Sequence, residues 1–464
     1  MEAASLEATL PAHGSRGRLL RVLGISFGLA VTIGGVIGMG ILRTPGEAAA
    51  YLPHAWLFMG VWVVGGIYAL LGTISVAELG AMLPRDGGFY VYARRTFGPF
   101  VGFIIGWSDW LSTCGTTAAI ALVIGEYTGQ LFPALAGQQV AVGVAVTVAF
   151  ALLQWRGVRW GGRAQEITSL LKALAFLALL TACFILGNRN PLGNVAAQFI
   201  TGAGSSQPGL LFSFALVASI IKAMQGVIYT YDGWYNIIYF GEEVRDPARN
   251  VPRSMIGSMF LVTGIYILVN LALLYVLPLQ RIAGQTLAVG AAASAVFGNY
   301  GGTIIAALAT VSMLSTINAN NLITPRILFA MSRDGLFSEK AIKVNRGGTP
   351  TVTLFVSTAV AVLFIVLGKR IEKVFAVLAF FFVVNYTVSF LAVFVLRRRE
   401  PELARPYRAW GYPWTTGLAL IGSIAFLAGA AVSDLENSIY ALVLLAASYP
   451  IFLLLKWISR ERAK

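Results

Sequence analysis

Two stretches of the 464-residue chain combine residue types able to hold a small charged solute. The first is Ile33-Gly-Gly-Val-Ile-Gly-Met-Gly-Ile41, with four glycines between Gly34 and Gly40 and Pro45 following in the same apolar run. A glycine costs about 1 kcal/mol in a helix interior, so a helix through this run is predicted to break there. The second is Tyr229-Thr-Tyr-Asp-Gly-Trp234, an acid beside a glycine inside another apolar run. At such a break, a new half-helix offers N–H donors to an anionic group, and unwound carbonyls offer acceptors to a cationic one. Glycines in membrane helices more often serve close packing. Two clusters in corresponding positions nevertheless point to a binding site.

Ionisable residues inside apolar runs are costly and are functional candidates by default. Lys172, in Glu166-Ile-Thr-Ser-Leu-Leu-Lys172, is either a structural tether or a proton carrier. Asp232 either contacts a substrate amine or caps the helix that follows. Lys222 and Asp109 either line an outer path or pair with each other, and Arg43 extends toward an outer vestibule. Glu78, Glu242 and Glu243 fall at the ends of runs; the last two neighbour Arg245 and Arg249. They are candidates for an inner gate, against the alternatives of loop capping and a solvated loop. Ser315, Thr316, Asn318, Asn320, Asn321 and Asn385 either complete a pocket or bond neighbouring helices.

The elements that must position these residues are membrane helices. The chain is 57% hydrophobic and only 12% charged, with a mean hydropathy of +0.76. Soluble domains carry about 25% charged residues, so a disordered protein is excluded and the composition argues against a soluble one. At about 20 apolar residues per crossing, twelve spans are predicted. In the first half they cover 24–52, 55–82, 97–130, 138–155, 164–187 and 209–242. The second half holds 254–278, 302–331, 351–368, 372–396, 415–432 and 438–458. A weaker stretch, 286–299, is expected at the membrane surface. No signal peptide is expected, since Arg16, Arg18 and Arg21 directly precede the first span.

The charge of +14, which in a soluble protein would suggest nucleic acid, becomes a statement of topology. Twenty-five basic residues fall on the face carrying both termini, and five (Arg189, Arg281, Lys369, Arg370 and Lys373) on the other. By the positive-inside rule both termini are cytoplasmic. If the first ten spans form two five-helix repeats, the broken spans one and six are equivalent, as in transporters with mid-membrane sites. With only two histidines and two isolated cysteines, Cys114 and Cys183, no metal centre, cofactor or buried enzyme chemistry is expected.

At these motifs the chain resembles the amino acid–polyamine–organocation (APC) superfamily, most closely its L-amino acid transporter (LAT) branch. The similarity lies in Gly35-Val-Ile-Gly-Met-Gly-Ile41, in Ala77-Glu-Leu-Gly-Ala-Met-Leu-Pro-Arg-Asp-Gly-Gly-Phe-Tyr-Val-Tyr92 and in Phe97-Gly-Pro to Gly106-Trp107. It continues through Tyr231-Asp-Gly-Trp-Tyr235, Glu242-Glu-Val-Arg-Asp-Pro-Ala-Arg-Asn-Val-Pro-Arg253, Ser332-Arg-Asp-Gly335 and Arg405-Pro-Tyr-Arg-Ala-Trp-Gly-Tyr-Pro413.

The resemblance implies an all-α membrane protein of the LeuT type: a 5+5 inverted repeat of twelve transmembrane helices, with helices 1 and 6 broken. The parts would be a cytoplasmic tail 1–23, repeats 24–187 and 209–396, two peripheral helices within 415–458, and a tail 459–464. It further implies alternating access with an amino acid bound by Val36, Ile37, Gly38, Met39, Gly40 and Ile41 and by Tyr229, Tyr231, Asp232, Gly233 and Trp234. Gly38 and Gly40 would meet the carboxylate, Tyr231 to Gly233 the α-amino group, and Tyr229 would act as a lid. Many relatives carry Ser where this chain has Met39, which leaves the carboxylate to backbone N–H groups. In sodium-independent relatives a lysine at the place of Lys172 fills the sodium site, and Glu242 and Glu243 would form an inner latch.

The expected function is sodium-independent transport of neutral L-amino acids, with basic ones as a further option, across the plasma membrane, as an exchanger or with protons. The alternatives are a polyamine or organic-cation transporter using Asp232, and a transporter-like sensor, against which the short tails argue. Partners would be the substrate and the lipid bilayer, with no nucleic acid. Animal relatives join a heavy subunit through a cysteine between spans three and four, where Gln130 to Gln139 has none, so a disulfide-linked subunit is not expected.

Overall fold

The computed structural model describes residues 19–187, 214–367, 372–433 and 435–462. Most of the expected N-terminal tail, Arg189, the start of the expected sixth span, Lys369, Arg370 and the last two residues lie outside them. The described chain is helical throughout, with isolated bridges in place of strands. The first half contains α1 (Ile25–Val36), α2 (Gly40–Tyr51), α3 (Ala55–Met82), α4 (Phe89–Phe97), α5 (Pro99–Leu131), α6 (Gln139–Arg156) and α7 (Val158–Leu186). The second half contains α8 (Phe214–Thr230), α9 (Pro247–Val276), α10 (Ala288–Phe297), α11 (Gly301–Arg333) and α12 (Thr351–Leu367). It closes with α13 (Glu372–Arg399), α14 (Trp414–Ser433) and α15 (Leu435–Arg462).

Among the described residues seven helices are long and apolar enough to cross a membrane, and the pair α1 and α2, bent by 42°, makes eight. Shorter apolar helices at Leu216–Thr230, Thr351–Leu367 and Ile439–Leu453 accompany them. Helix α7 shows why water is not their solvent. Gln165, Ser169 and Lys172, spaced i, i+4, i+7, are buried on one face, while Ile167, Leu170, Leu174 and Leu177 are more than half exposed on the other. Polar side chains point inward and apolar ones outward, the arrangement a hydrocarbon surround favours. The chain is a multi-pass, all-helical membrane protein.

Helix α1 lies at the centre, against α7, α9 and α11, and α5 runs along α11. Helix α3 coincides with the span expected at 55–82. Helix α7 starts at Val158, six residues before the expected 164, because Arg159 and Arg163 continue the helix beyond its apolar part. Hydropathy detects only the part in the hydrocarbon. The sixth span also differs from expectation. It stops at Thr230 and continues through turns into a 3-10 turn, Asn236–Tyr239, rather than a second α-helical half. Gly233 sits at φ +100°, which an α-helix does not accept, and the Asn236 amide donates to the Val31 carbonyl at 3.2 Å, pinning the turn to α1.

Candidate functional site

The two breaks touch. Helix α1 ends at Val36, Ile37 is extended, and α2 starts at Gly40. A Cβ on Gly233 would stand 3.2 Å from the backbone of Gly35, so the second break is seated directly on the first. Tyr266 of α9 joins them: its hydroxyl is 2.8 Å from the Val36 carbonyl and 3.1 Å from the Thr230 carbonyl. Both are carbonyls from the last turn of a helix, which have no partner within it. Tyr266→Phe would leave these buried acceptors unsatisfied, and a loss of about 1–3 kcal/mol is expected. Thermal unfolding in detergent reads this directly; a melting temperature equal to the wild type would refute the bridge.

Lys172 occupies the other side of the first break. Its ammonium donates to the carbonyls of Gly34 at 2.8 Å and Ile37 at 2.5 Å, and lies 3.4 Å from the Thr316 hydroxyl. The hydroxyls of Thr316 and Ser312 donate to the same two carbonyls, each at 3.0 Å. A positive charge at the carbonyl end of α1 is favoured by the helix dipole. The close approach depends on Gly34, where a Cβ would fall 2.1 Å from the Gln165 amide and 2.5 Å from the Ser169 hydroxyl. Below it, Gln165, Ser169, Ser315 and Asn318 form a hydrogen-bonded ladder from α7 to α11 that reaches the Ala30 carbonyl.

In front of the breaks lies a cavity of about 410 Å³. Val36, Gly38, Met39, Gly40, Tyr229 and Asp232 line it, with Arg43 and Glu47 toward the end of α2. An inner chamber of about 60 Å³ continues behind it, lined by Gly233, Tyr235, Asn320 and Phe382 among others. Gly35, Thr116, Asp232 and Thr316 line both. The Asp232 carboxylate accepts the Tyr235 hydroxyl at 3.1 Å, and Asp109 of α5 accepts the Tyr239 hydroxyl at 2.9 Å. Tyr235 and Tyr239 sit edge to face at 6.1 Å, so the two acids are joined by a pair of tyrosines.

The other expected binding residues lie elsewhere. The side chains of Ile37 and Ile41 are fully buried in the core. Tyr231 points away from the cavity and donates to the Trp62 carbonyl at 3.0 Å, and Trp234 packs on Tyr386. Tyr229, 49% exposed, stands at the cavity wall. Asp109 and Lys222 do not pair: Asp109 is fully buried, whereas Lys222 lies over the Tyr51 ring. Thr316 and Asn320 reach the cavities, Asn321 bonds the Thr147 carbonyl, and Asn385 is buried away from both cavities. Tyr266 and Tyr239 carried no signal in the sequence, since neither a lone tyrosine nor its helix marks a partner.

At the basic end of the molecule, charged side chains lock the helices together. Glu78 of α3 takes a paired contact from Arg397 of α13 at 2.8 and 2.5 Å, and accepts the Ala409 N–H at 2.6 Å. Glu242 is held by Arg333 of α11 at 2.7 and 2.6 Å, and Glu243 by Arg326 of the same helix. The partners are therefore not the adjacent Arg245 and Arg249; Arg249 instead meets Asp246. Asp86 accepts the Glu242 N–H at 2.7 Å and lies 3.9 Å from Arg326. Burial, with the neighbouring Glu243 and Glu242 carboxylates, raises the Asp86 carboxyl well above the usual range. Burial also opposes ionisation of Glu242, but the bonds and charge of Arg333 hold its carboxyl below the ordinary value.

Among the described residues no cluster of His, Cys, Asp and Glu is suited to a metal ion, and Cys114 and Cys183 are free and buried. The arrangement offers backbone donors at the start of α2, a carboxylate opposite them, and a cavity between. Residues 25–449 match a family model described as amino acid permease. The chain is 28% identical to the serine/threonine exchanger SteT of Bacillus subtilis, over 95% of this chain and 98% of that protein. It is 27% identical to the human Asc-type amino acid transporter 1, over 86% of this chain and 76% of the relative. With the human large neutral amino acids transporter small subunit 2 the identity is 26%, over 86% and 74%.

Proposed function

The chain belongs to the amino acid permease family of the APC superfamily, on its LAT-like side, and from that premise we propose that it is a sodium-independent carrier of small neutral L-amino acids. It is a transporter, not an enzyme. The observation that carries the sodium independence is the Lys172 ammonium. The carbonyls of Gly34 and Ile37 and the hydroxyl of Thr316 converge on this ammonium, so Lys172 occupies the place that a cation held by these oxygens would take.

In this reading twelve spans form the inverted five-helix repeats 24–187 and 209–396, with peripheral helices within 415–458. Both termini face the cytoplasm of a plasma-membrane protein. The substrate carboxylate meets the N–H groups at Gly38, Met39 and Gly40 where α2 begins, a helix N-terminus suited to an anion. Asp232 faces the α-amino group, and Tyr229 closes the outer side. Glu78, Glu242 and Glu243 hold the inner side shut while the cavity lined by Arg43 and Glu47 stays open.

Counterflow into proteoliposomes across the twenty L-amino acids tests this reading, and serine and threonine are the first candidates. Uptake is expected to be saturable and unchanged when choline replaces sodium. Absence of counterflow for every amino acid would end the proposal. Asp232, an acid in the cavity wall, favours a second reading in which the cargo is an organic cation without a carboxylate. Putrescine displacing a labelled substrate better than any amino acid would select it.

A further inference from the structure

At the basic end of the molecule, α1, α7 and the turn at 243–245 enclose a pocket of about 370 Å³ separate from the central cavity. Arg159, Arg163 and Arg245 line it, with Glu166 and an apolar floor of Leu23 and Phe27. Backbone pairing brings the parts together: the Leu23 N–H donates to the Glu243 carbonyl at 2.9 Å, and the Arg245 N–H to the Leu23 carbonyl at 2.8 Å. Arg245 is thereby carried to the foot of α1, and Arg159 and Arg163, four residues apart, share a face of α7.

The charge in this pocket is unbalanced. None of the three arginines has an ion pair among the described residues, and the one carboxylate, Glu166, accepts the Ser26 hydroxyl at 2.6 Å. Helix α1 starts at Ile25, and its N-cap residue Gly24 offers no side-chain cap, so its positive end adds to the field. Depth follows from α7. From Ile167 onward its outer face is exposed and apolar, and Trp160, next to Arg159, is exposed at the lower edge of that face. An exposed tryptophan at the boundary of an apolar face marks the headgroup level of a bilayer. Guanidinium forks match phosphate oxygens in charge and geometry.

We propose that this pocket binds the phosphate of an anionic phospholipid headgroup, held by Arg159, Arg163 and Arg245. Native mass spectrometry of the full chain in detergent, titrated with phosphatidylglycerol or phosphatidylcholine, tests it. Phosphatidylglycerol is expected to bind and phosphatidylcholine not. Arg159→Gln, Arg163→Gln and Arg245→Gln are each expected to weaken binding roughly fivefold, or about 1 kcal/mol per basic residue. Glu166→Gln is expected to tighten binding severalfold, a gain that a misfolded protein cannot show. Equal binding of both lipids, full affinity in all three arginine variants, or an equal loss in the distant Arg408→Gln would overturn the site. Inorganic phosphate competing as well as the lipid at equal concentration would overturn the lipid as its ligand.

Discussion

Lys172→Ala is expected to abolish counterflow and to lower the stability of the protein more than any other single change at the centre of the membrane. Its ammonium is buried to 1% exposure and is shared by the Gly34 and Ile37 carbonyls. Hydrogen bonds to a charged group contribute about 1.5–3 kcal/mol each, so roughly 3–6 kcal/mol is at stake. The same contacts set the angle between α1 and α2 and hence the donors at Gly38 to Gly40, and a displacement there costs a transport step directly. The vacated oxygens of Gly34, Ile37 and Thr316 then form a cation site, so sodium is expected to raise the melting temperature of the variant and leave the wild type unchanged. Wild-type rates in Lys172→Ala would remove the lysine from the mechanism. A variant that folds but shows no response to sodium would instead refute the cation-site geometry.

The second large effect is expected at Arg326. This guanidinium is 1% exposed, paired with Glu243, close to Asp86 and laid 4.5 Å over the Phe240 ring. Arg326→Ala leaves two buried carboxylates without a counter-charge, and removing one partner of a buried pair costs about 3–5 kcal/mol. The pH dependence gives a separate readout. The Asp86 carboxyl is already raised by burial and by Glu243 and Glu242. A group whose folded value is raised adds stability below its unfolded value and loses it as pH rises through the folded value. Without Arg326 that rise grows, so the deficit of the variant should shrink as pH falls from neutral into the mildly acidic range. Because the pair joins the loop after the second break to α11, the variant is also expected to open the inner side, read as faster thiol labelling of a cysteine placed at Ser332. A deficit independent of pH, with unchanged labelling, would reduce Arg326 to a packing residue.

Much of the architecture was legible in the chain because it depends on one-dimensional properties. The run 55–82 reads as a span and is helical over those residues. The glycines at 34, 35, 38 and 40 mark the first break, and Asp232-Gly233 the second. What followed the second break was not legible, since Tyr235 to Tyr239 are apolar enough to continue a helix. Only the contact of Asn236 with Val31, from another segment, explains the tight turn. Likewise Tyr231 and Trp234 belong to the correct motif yet point into packing against Trp62 and Tyr386, because a turn sends successive side chains in different directions.

Hydropathy and the placement of arginines and lysines by themselves determined that this is a helical membrane protein, which end carries the basic residues, and where two helices break. Those features follow from local transfer energies, which each segment carries wherever it folds. Only the tertiary structure decided which charge meets which. Lys172 finds carbonyls 135 and 138 residues away, Arg326 finds Glu243 across 83 residues, and Arg397 finds Glu78 across 319. Adjacent arginines at 245 and 249 were passed over for distant ones on α11, because a buried carboxylate is held by whichever guanidinium the packing of helices brings to it, and sequence distance does not enter that energy.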